Sequence, residues 1–145
     1  MSRLYFVGRD RGVQIAGQIL IYPMLDDRTA EAIAEVDPFL SITSNEVQLI
    51  WRARIPVGAS QLPLYSPARL TDFRGMPRTY LDVGELDLFC LEGLSWITQL
   101  AAAGVPVEFH LYSGVNHGFE LLAPESEIAR QAMAWRCDAI RRLTS

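Results

Sequence analysis

The apolar residues of this 145-residue chain fall into short continuous runs separated by stretches of helical period. Gln14 to Pro23 (Gln-Ile-Ala-Gly-Gln-Ile-Leu-Ile-Tyr-Pro) is apolar on both faces through most of its length. That is the pattern of a parallel strand covered by helices on each side. Thr79 to Val83, after Gly75-Met76-Pro77-Arg78, predicts a second short strand, and Val107 to Tyr112 a third. In the third, Val107, Phe109 and Leu111 alternate with Glu108, His110 and Tyr112, which predicts one buried face and one partly wet face, as at a sheet edge.

A helix over Phe89 to Ala103 is predicted between the second and third strands, with Leu91, Leu94, Ile97 and Ala101 on one stripe and Gly104 and Pro106 stopping it. Strand, helix, strand makes a βαβ unit and therefore a parallel pair. A last helix is predicted from Pro124 to Leu143, with Pro124 at its first position and Glu125 and Glu127 near the positive end of its dipole. Its stripe of Ala129, Met133, Cys137 and Ile140 is expected to pack on the sheet. The connection over residues 24–76 is too long for a simple loop. Thr43-Ser44-Asn45-Glu46 reads there as a capping box opening a helix to about Arg54, with Val47, Ile50 and Trp51 buried. The whole, residues 1–145, reads as a single partial α/β domain of three parallel strands flanked by helices.

Half of the residues are apolar, enough to bury a sizeable core. A net charge of -4, with 13 basic residues that are all Arg and scattered, excludes a nucleic-acid surface. Cys90 and Cys137 are too few for a disulfide framework and lack the close spacing of a metal clip, so both are expected as buried free thiols. No run approaches about 18 apolar residues and Met1 to Asp10 holds no secretory core, from which a soluble cytoplasmic protein with no membrane partner is expected.

In an open parallel sheet, reactive groups collect beyond the carboxyl ends of the strands. Two stretches fall there: Gly84-Glu85-Leu86-Asp87 and Gly114-Val115-Asn116-His117-Gly118-Phe119. An acid after one strand and a base after the next is the order of the last two members of a Ser, Asp, His triad. Read alone, Asp87 could equally cap the helix that follows, and His117 could be a surface loop histidine. Asp26 and Asp27 after the first strand read as a solvated loop. His110, Glu108 and Tyr112 share one strand face without completing a metal set, and no cofactor site is read. Trp51, Trp96 and Trp135 are expected in core or interface. Ser60, Ser66, Ser95 and Ser113 all lack the flanking glycines of a nucleophile elbow, although Ser113 lies close to His117 in sequence.

From about Arg9 onward the chain resembles the C-terminal half of hormone-sensitive-lipase-like α/β-hydrolase carboxylesterases and lipases. The resemblance runs through Gln18-Ile-Leu-Ile-Tyr-Pro-Met-Leu-Asp, Tyr65-Ser66-Pro67, Gly75-Met76-Pro77, Gly84-Glu85-Leu86-Asp87, Ala103-Gly104-Val105-Pro106-Val107-Glu108 and Gly114-Val115-Asn116-His117-Gly118-Phe119, in the family's order. It implies that Asp87 is the triad acid and His117 the triad base. The acid is usually followed by Pro-Leu-Arg-Asp-Glu, whereas here it is followed by Leu88-Phe89-Cys90-Leu91-Glu92. The family's His-Gly-Gly and Gly-Asp-Ser-Ala-Gly motifs occur nowhere in the chain.

The expectation is therefore the C-terminal portion of a carboxylic-ester hydrolase. It would act on a small-molecule ester only when complemented by the segment carrying nucleophile and oxyanion hole. The alternative is an inactive truncated fragment serving as an association module. In either case Ile15, Ile19 and Ile21 are expected at an unpaired sheet edge, to be covered by an N-terminal half, a second copy or a rearranged Met1 to Gly12 segment.

Overall fold

The computed structural model of the chain describes residues 11–29, 40 and 42–144. Three strands, β1 (Gln18–Ile21), β2 (Thr79–Gly84) and β3 (Val107–Tyr112), form a parallel sheet in the order β1-β2-β3. The expected three parallel strands flanked by helices are present, and β2 is central and buried along its whole length. β1 is shorter than the apolar run around it. Its pairing begins where β2 does, with Gln18 opposite Thr79 and the Gln18 amide donating to Arg78 O. It ends at Tyr22, whose backbone turns into the left-handed region at φ 33°.

Helix α1 (Ser44–Arg54) carries the expected capping box: Thr43 accepts from the Glu46 amide, and Glu46 accepts from the Thr43 amide. Val47 and Trp51 are buried with Leu88 and Phe89, so α1 covers the start of the β2–β3 crossover, while Ile50 faces out. The rest of the connection makes short 3-10 turns at Leu62–Leu64 and Pro67–Arg69.

Helix α2 (Cys90–Ala102) joins β2 to β3 and packs Trp96, Ile97 and Leu100 against Leu81 and Val83. The predicted stripe is rotated from the observed one: Ile97 is inside but Leu91 is 59% exposed. A short helix, α3 (Phe119–Leu122), and a long one, α4 (Glu127–Thr144), complete the chain. α4 begins three residues after Pro124, where Ser126 Oγ accepts from the Ala129 amide at 3.3 Å and acts as its cap.

The face that α4 buries is also not the apolar one. Ala129, Ala132, Arg136 and Ala139 are buried, whereas Met133, Cys137 and Ile140 are exposed. The reason lies across the interface. Side chains alternate along β2, so Asp82 points away from Leu81 and Val83 and toward α4. There Arg136 donates to both of its carboxylate oxygens, Nε to Oδ2 at 2.6 Å and Nη2 to Oδ1 at 3.0 Å. A buried ion pair has taken the place that a hydrophobic pattern assigns to methionine. β3 departs from its predicted alternation for the same reason: Tyr112 is buried with Phe119, Ala129 and Ala132 under α4, and Leu111 is exposed. Trp51 and Trp96 are core residues, whereas Trp135 is partly exposed and stacks on His110.

Among the described residues β1 hydrogen-bonds to a strand on one side only. Met1 to Gly12, one of the covers that the sequence suggests for it, lies almost wholly outside the described residues. No helix among those described is long and apolar enough to cross a membrane.

Candidate active site

β2 and β3 run in the same direction with Gly84 opposite Tyr112, so the loops that follow them emerge at one rim. The first delivers Asp87 and the second His117. Their side chains meet: His117 Nδ1 lies 2.9 Å from Asp87 Oδ2. The carboxylate is almost wholly buried, at 1% side-chain exposure, while the imidazole keeps 19%.

Asp87 is not the cap of the helix, whose cap position is Phe89 without a side-chain cap bond, and its two oxygens divide their work between that residue's amide and the imidazole. Oδ1 accepts from the Phe89 amide at 2.9 Å and shapes the entry to α2; Oδ2 faces the imidazole. A carboxylate held by its own backbone in this way can accept only from an Nδ1–H, which fixes the tautomer and turns Nε2 into the basic nitrogen.

Three features position the pair through contacts that the sequence alone does not reveal. Gly84 is the first. A Cβ there would stand 2.3 Å from the Val115 carbonyl oxygen, so only glycine lets the His117 loop settle on the end of β2. Glu85 is the second. Its carboxylate accepts from the Ser113 hydroxyl at 2.7 Å and the Gly114 amide at 2.8 Å, bonds that hold it below the usual carboxylate range. With Glu85 N–H to Tyr112 O and Leu86 N–H to Val115 O, this ties the two loops together. The same bond engages Ser113, which is therefore a strut of the loop. The third is the aromatic enclosure of the imidazole, with Tyr22 at 4.2 Å and Phe89 at 5.3 Å between ring centroids. Each is visible in the sequence only as a residue type in or beside a motif, because its partner lies on a different loop.

Gly118 follows His117 with φ 72°, a left-handed backbone that lets the chain turn straight into α3. α3 then sends Glu120 inward. Burial works to raise its carboxyl, but hydrogen bonds from Arg136, its own amide and the Tyr22 hydroxyl, with the guanidinium charge, outweigh this and hold it below the ordinary range.

The remaining candidates are accounted for elsewhere. Asp26 pairs with Arg28 and Asp27 with Arg69, so neither is one half of a carboxylate pair. His110 contacts Glu108 at 3.0 Å, and the described residues contain no group of three or more side chains able to hold a metal. Ser66 is buried and donates to Leu25 O, Ser60 is exposed, and Ser95 lies on the outer side of α2.

Residues 4–121 match the model of an α/β hydrolase fold family. Among solved structures, the chain is similar to a bacterial heroin esterase, with 31% identity and a TM-score of 0.81 over 98% of this chain and 47% of that one. It is also similar to the esterase LipW from Mycobacterium marinum, with 28% identity and a TM-score of 0.84 over 99% of this chain and 46% of that one. A hyperthermophilic esterase from Pyrobaculum calidifontis aligns with 25% identity and a TM-score of 0.80 over 99% of this chain and 48% of that one. Comparison with curated proteins gave no match. The chain thus spans about half the length of the solved structures it matches. With its central parallel strands and most of its length covered by the family model, the chain belongs to the α/β hydrolase fold family.

Proposed function

We propose that this chain is the C-terminal portion of a carboxylic-ester hydrolase of the hormone-sensitive-lipase-like type, in which Asp87 is the triad acid and His117 the triad base. The observation that carries the reading is the 2.9 Å contact between a buried carboxylate and a partly exposed imidazole at the end of adjacent parallel strands. In the mechanism this implies, Asp87 orients His117, whose Nε2 takes the proton from a serine as it attacks the ester carbonyl. The resulting imidazolium, stabilised by the carboxylate, then protonates the leaving alcohol.

The serine and the oxyanion donors are supplied from outside these 145 residues, since no Gly-x-Ser-x-Gly or His-Gly-Gly occurs in them. Single elements of such a site are worth factors of roughly 10² to 10⁴. The acid and base alone would be at most a weak general base toward an activated ester. The substrate class is a small-molecule ester, and the open side of β1 is where a complementing N-terminal segment or a second copy would pair.

The test combines p-nitrophenyl acetate turnover with fluorophosphonate labelling. The chain alone is expected to show neither above background. Addition of a separately produced N-terminal half of a family esterase should restore both, and His117→Ala should then abolish turnover. Labelling of the chain alone would overturn the assignment of the nucleophile. A complex that forms and stays inert would favour the association module instead. Light scattering that shows a dispersed monomer at micromolar concentration would remove the open β1 edge from the reading.

A further inference from the structure

We propose that Tyr22 is a positioning residue for His117, held in place by Glu120 and Arg136. The inference rests on the reading of Asp87 and His117 as an acid and base pair, and extends it to a residue on a third strand.

The hydrogen bond from His117 Nδ1 to Asp87 fixes one atom of the imidazole, and the ring contacts on either side of it restrict the plane of the ring. Tyr22 approaches with its centroid 4.2 Å away and its plane tilted by 58°, and Phe89 stands at 5.3 Å and 77°. Phe89 belongs to the same loop as Asp87, so it moves with the acid. Tyr22 comes from the end of β1 and is the independent wall.

Its placement is costly and specific. Tyr22 is the only non-glycine residue with positive φ among those described, at 33°, a backbone region that bulky side chains avoid. Two bonds hold it there. Its amide donates to Asp82 O at 2.7 Å, and its hydroxyl donates to Glu120 Oε1 at 2.9 Å. The same Glu120 oxygen accepts from Arg136 Nη1 at 2.7 Å, and the guanidinium lies 5.5 Å from the centre of the Tyr22 ring. Burial and the bond to Glu120 push the phenol up to about 12, so it remains a donor throughout the neutral range. The network is closed by Asp82, on β2, which pairs with Arg136. A strained backbone at a residue whose ring covers the proposed base, anchored by a buried carboxylate and guanidinium, is a device for orientation.

The experiment uses the full 145-residue chain and the imidazole proton of His117. The chain has two histidines, so ¹⁵N-histidine labelling gives two ring systems, with His110 as the internal reference. The His117 Nδ1 proton is expected to be protected from solvent exchange in the parent chain and lost in Asp87→Asn. An aromatic contact of this kind shifts a conformational equilibrium by about two- to tenfold. Tyr22→Leu should therefore accelerate exchange of that proton by about that factor, with no matching acceleration at the backbone amide of Leu81 in the core. Tyr22→Phe, which keeps the wall and drops the anchor, should fall between the two. A merely structural role would accelerate Leu81 equally and would overturn the proposal, as would unchanged His117 exchange in Tyr22→Leu. If Tyr22→Leu does not fold, Tyr22→Phe decides by the same criterion. A parent chain with no protected Nδ1 proton, or one that persists in Asp87→Asn, refutes the acid and base reading and this proposal with it. Protection that depends on Asp87 but not on Tyr22 refutes this proposal alone.

Discussion

Arg136→Met is the sharpest perturbation of the fold, because it removes one cation from two buried anions. In the native structure the guanidinium donates twice to Asp82, which is completely buried, and once to Glu120, at 2.6, 3.0 and 2.7 Å. Breaking one side of a buried ion pair costs about 3–5 kcal/mol, mostly from the charge left behind. Part of that is retained here: Tyr80 still donates to Asp82 at 2.9 Å and Tyr22 to Glu120 at 2.9 Å, and methionine fills most of the volume. We therefore expect a loss near the lower end, about 3 kcal/mol. Against a total of about 5–15 kcal/mol for a domain, that is a substantial fraction.

The assay is urea unfolding at pH 7 followed by tryptophan fluorescence, with the midpoint and slope reported separately. The pH dependence supplies a second check. The Glu120 carboxyl is lowered in the folded chain, so its contribution is present above the ordinary value of 4.5 and is lost as the pH falls through the depressed one. Without the arginine that stabilisation is gone and burial is left unopposed. The gap between parent and variant should be widest at neutral pH and narrow in acid. Adding Asp82→Asn to Arg136→Met should recover stability, since the worst-placed charge is then absent. A loss below about 1 kcal/mol, or strict additivity of the two substitutions, would refute the claim that the pair is coupled.

Three further outcomes follow from the site and its surroundings. Burial pushes the Glu92 carboxyl up to about 7 against hydrogen bonds from Thr29, Leu25 and Asp26, so the folded chain binds a proton that the unfolded chain releases above 4.5. Stability should then fall by about 3 kcal/mol as the pH rises from 4.5 to 7. Glu92→Gln should flatten that slope in pH-dependent urea titrations. Gly84→Ala should cost about 1–3 kcal/mol by overpacking, since its Cβ meets Val115 O at 2.3 Å, and it should also abolish protection of the His117 Nδ1 proton; an unchanged melting temperature and spectrum would remove Gly84 from the account. With a thiol-reactive disulfide reagent, exposed Cys137 should react at once, whereas Cys90, whose thiol burial raises, should react only on unfolding, so two rapid equivalents would contradict the fold.

What the sequence made legible was the part determined locally. The strands of the sheet, the capping box at Thr43 and the placement of Asp87 and His117 after successive strands all depend on residues a few positions apart. What it hid was determined across the interface. The buried α4 residues are three alanines and Arg136, whereas Met133 and Ile140 of the same helix are outside. A hydrophobic stripe cannot reveal this, because the arginine is drawn in by Asp82, which lies 54 positions away in sequence. The same is true of Glu120, which follows His117 closely in sequence, yet its partners Tyr22 and Arg136 lie 98 and 16 positions away. In β3 the alternation fails at Tyr112 and Leu111 because α4 and α3, and not the pattern of the strand, decide which face is covered.

These hidden partners bear on the candidate site as well as on the fold. β2 contributes Asp82 to the ion network and Gly84 to the seat of the His117 loop, and it leads directly into the Asp87 turn. Through Arg136, Glu120 and Tyr22 the network returns to the imidazole from the other side. The orientation of His117 is thus set by two routes that diverge from one strand, a short one through Asp87 and a long one through buried charge. If both routes operate, Arg136→Met must do more than lower stability: in the fraction that remains folded, exchange of the His117 Nδ1 proton should accelerate although Arg136 is not within hydrogen-bonding reach of the imidazole. A destabilising substitution of equal size at Leu100, near the far end of α2 in the main core cluster, should leave that proton protected. The comparison separates a base held by general rigidity from one held by a defined chain of contacts.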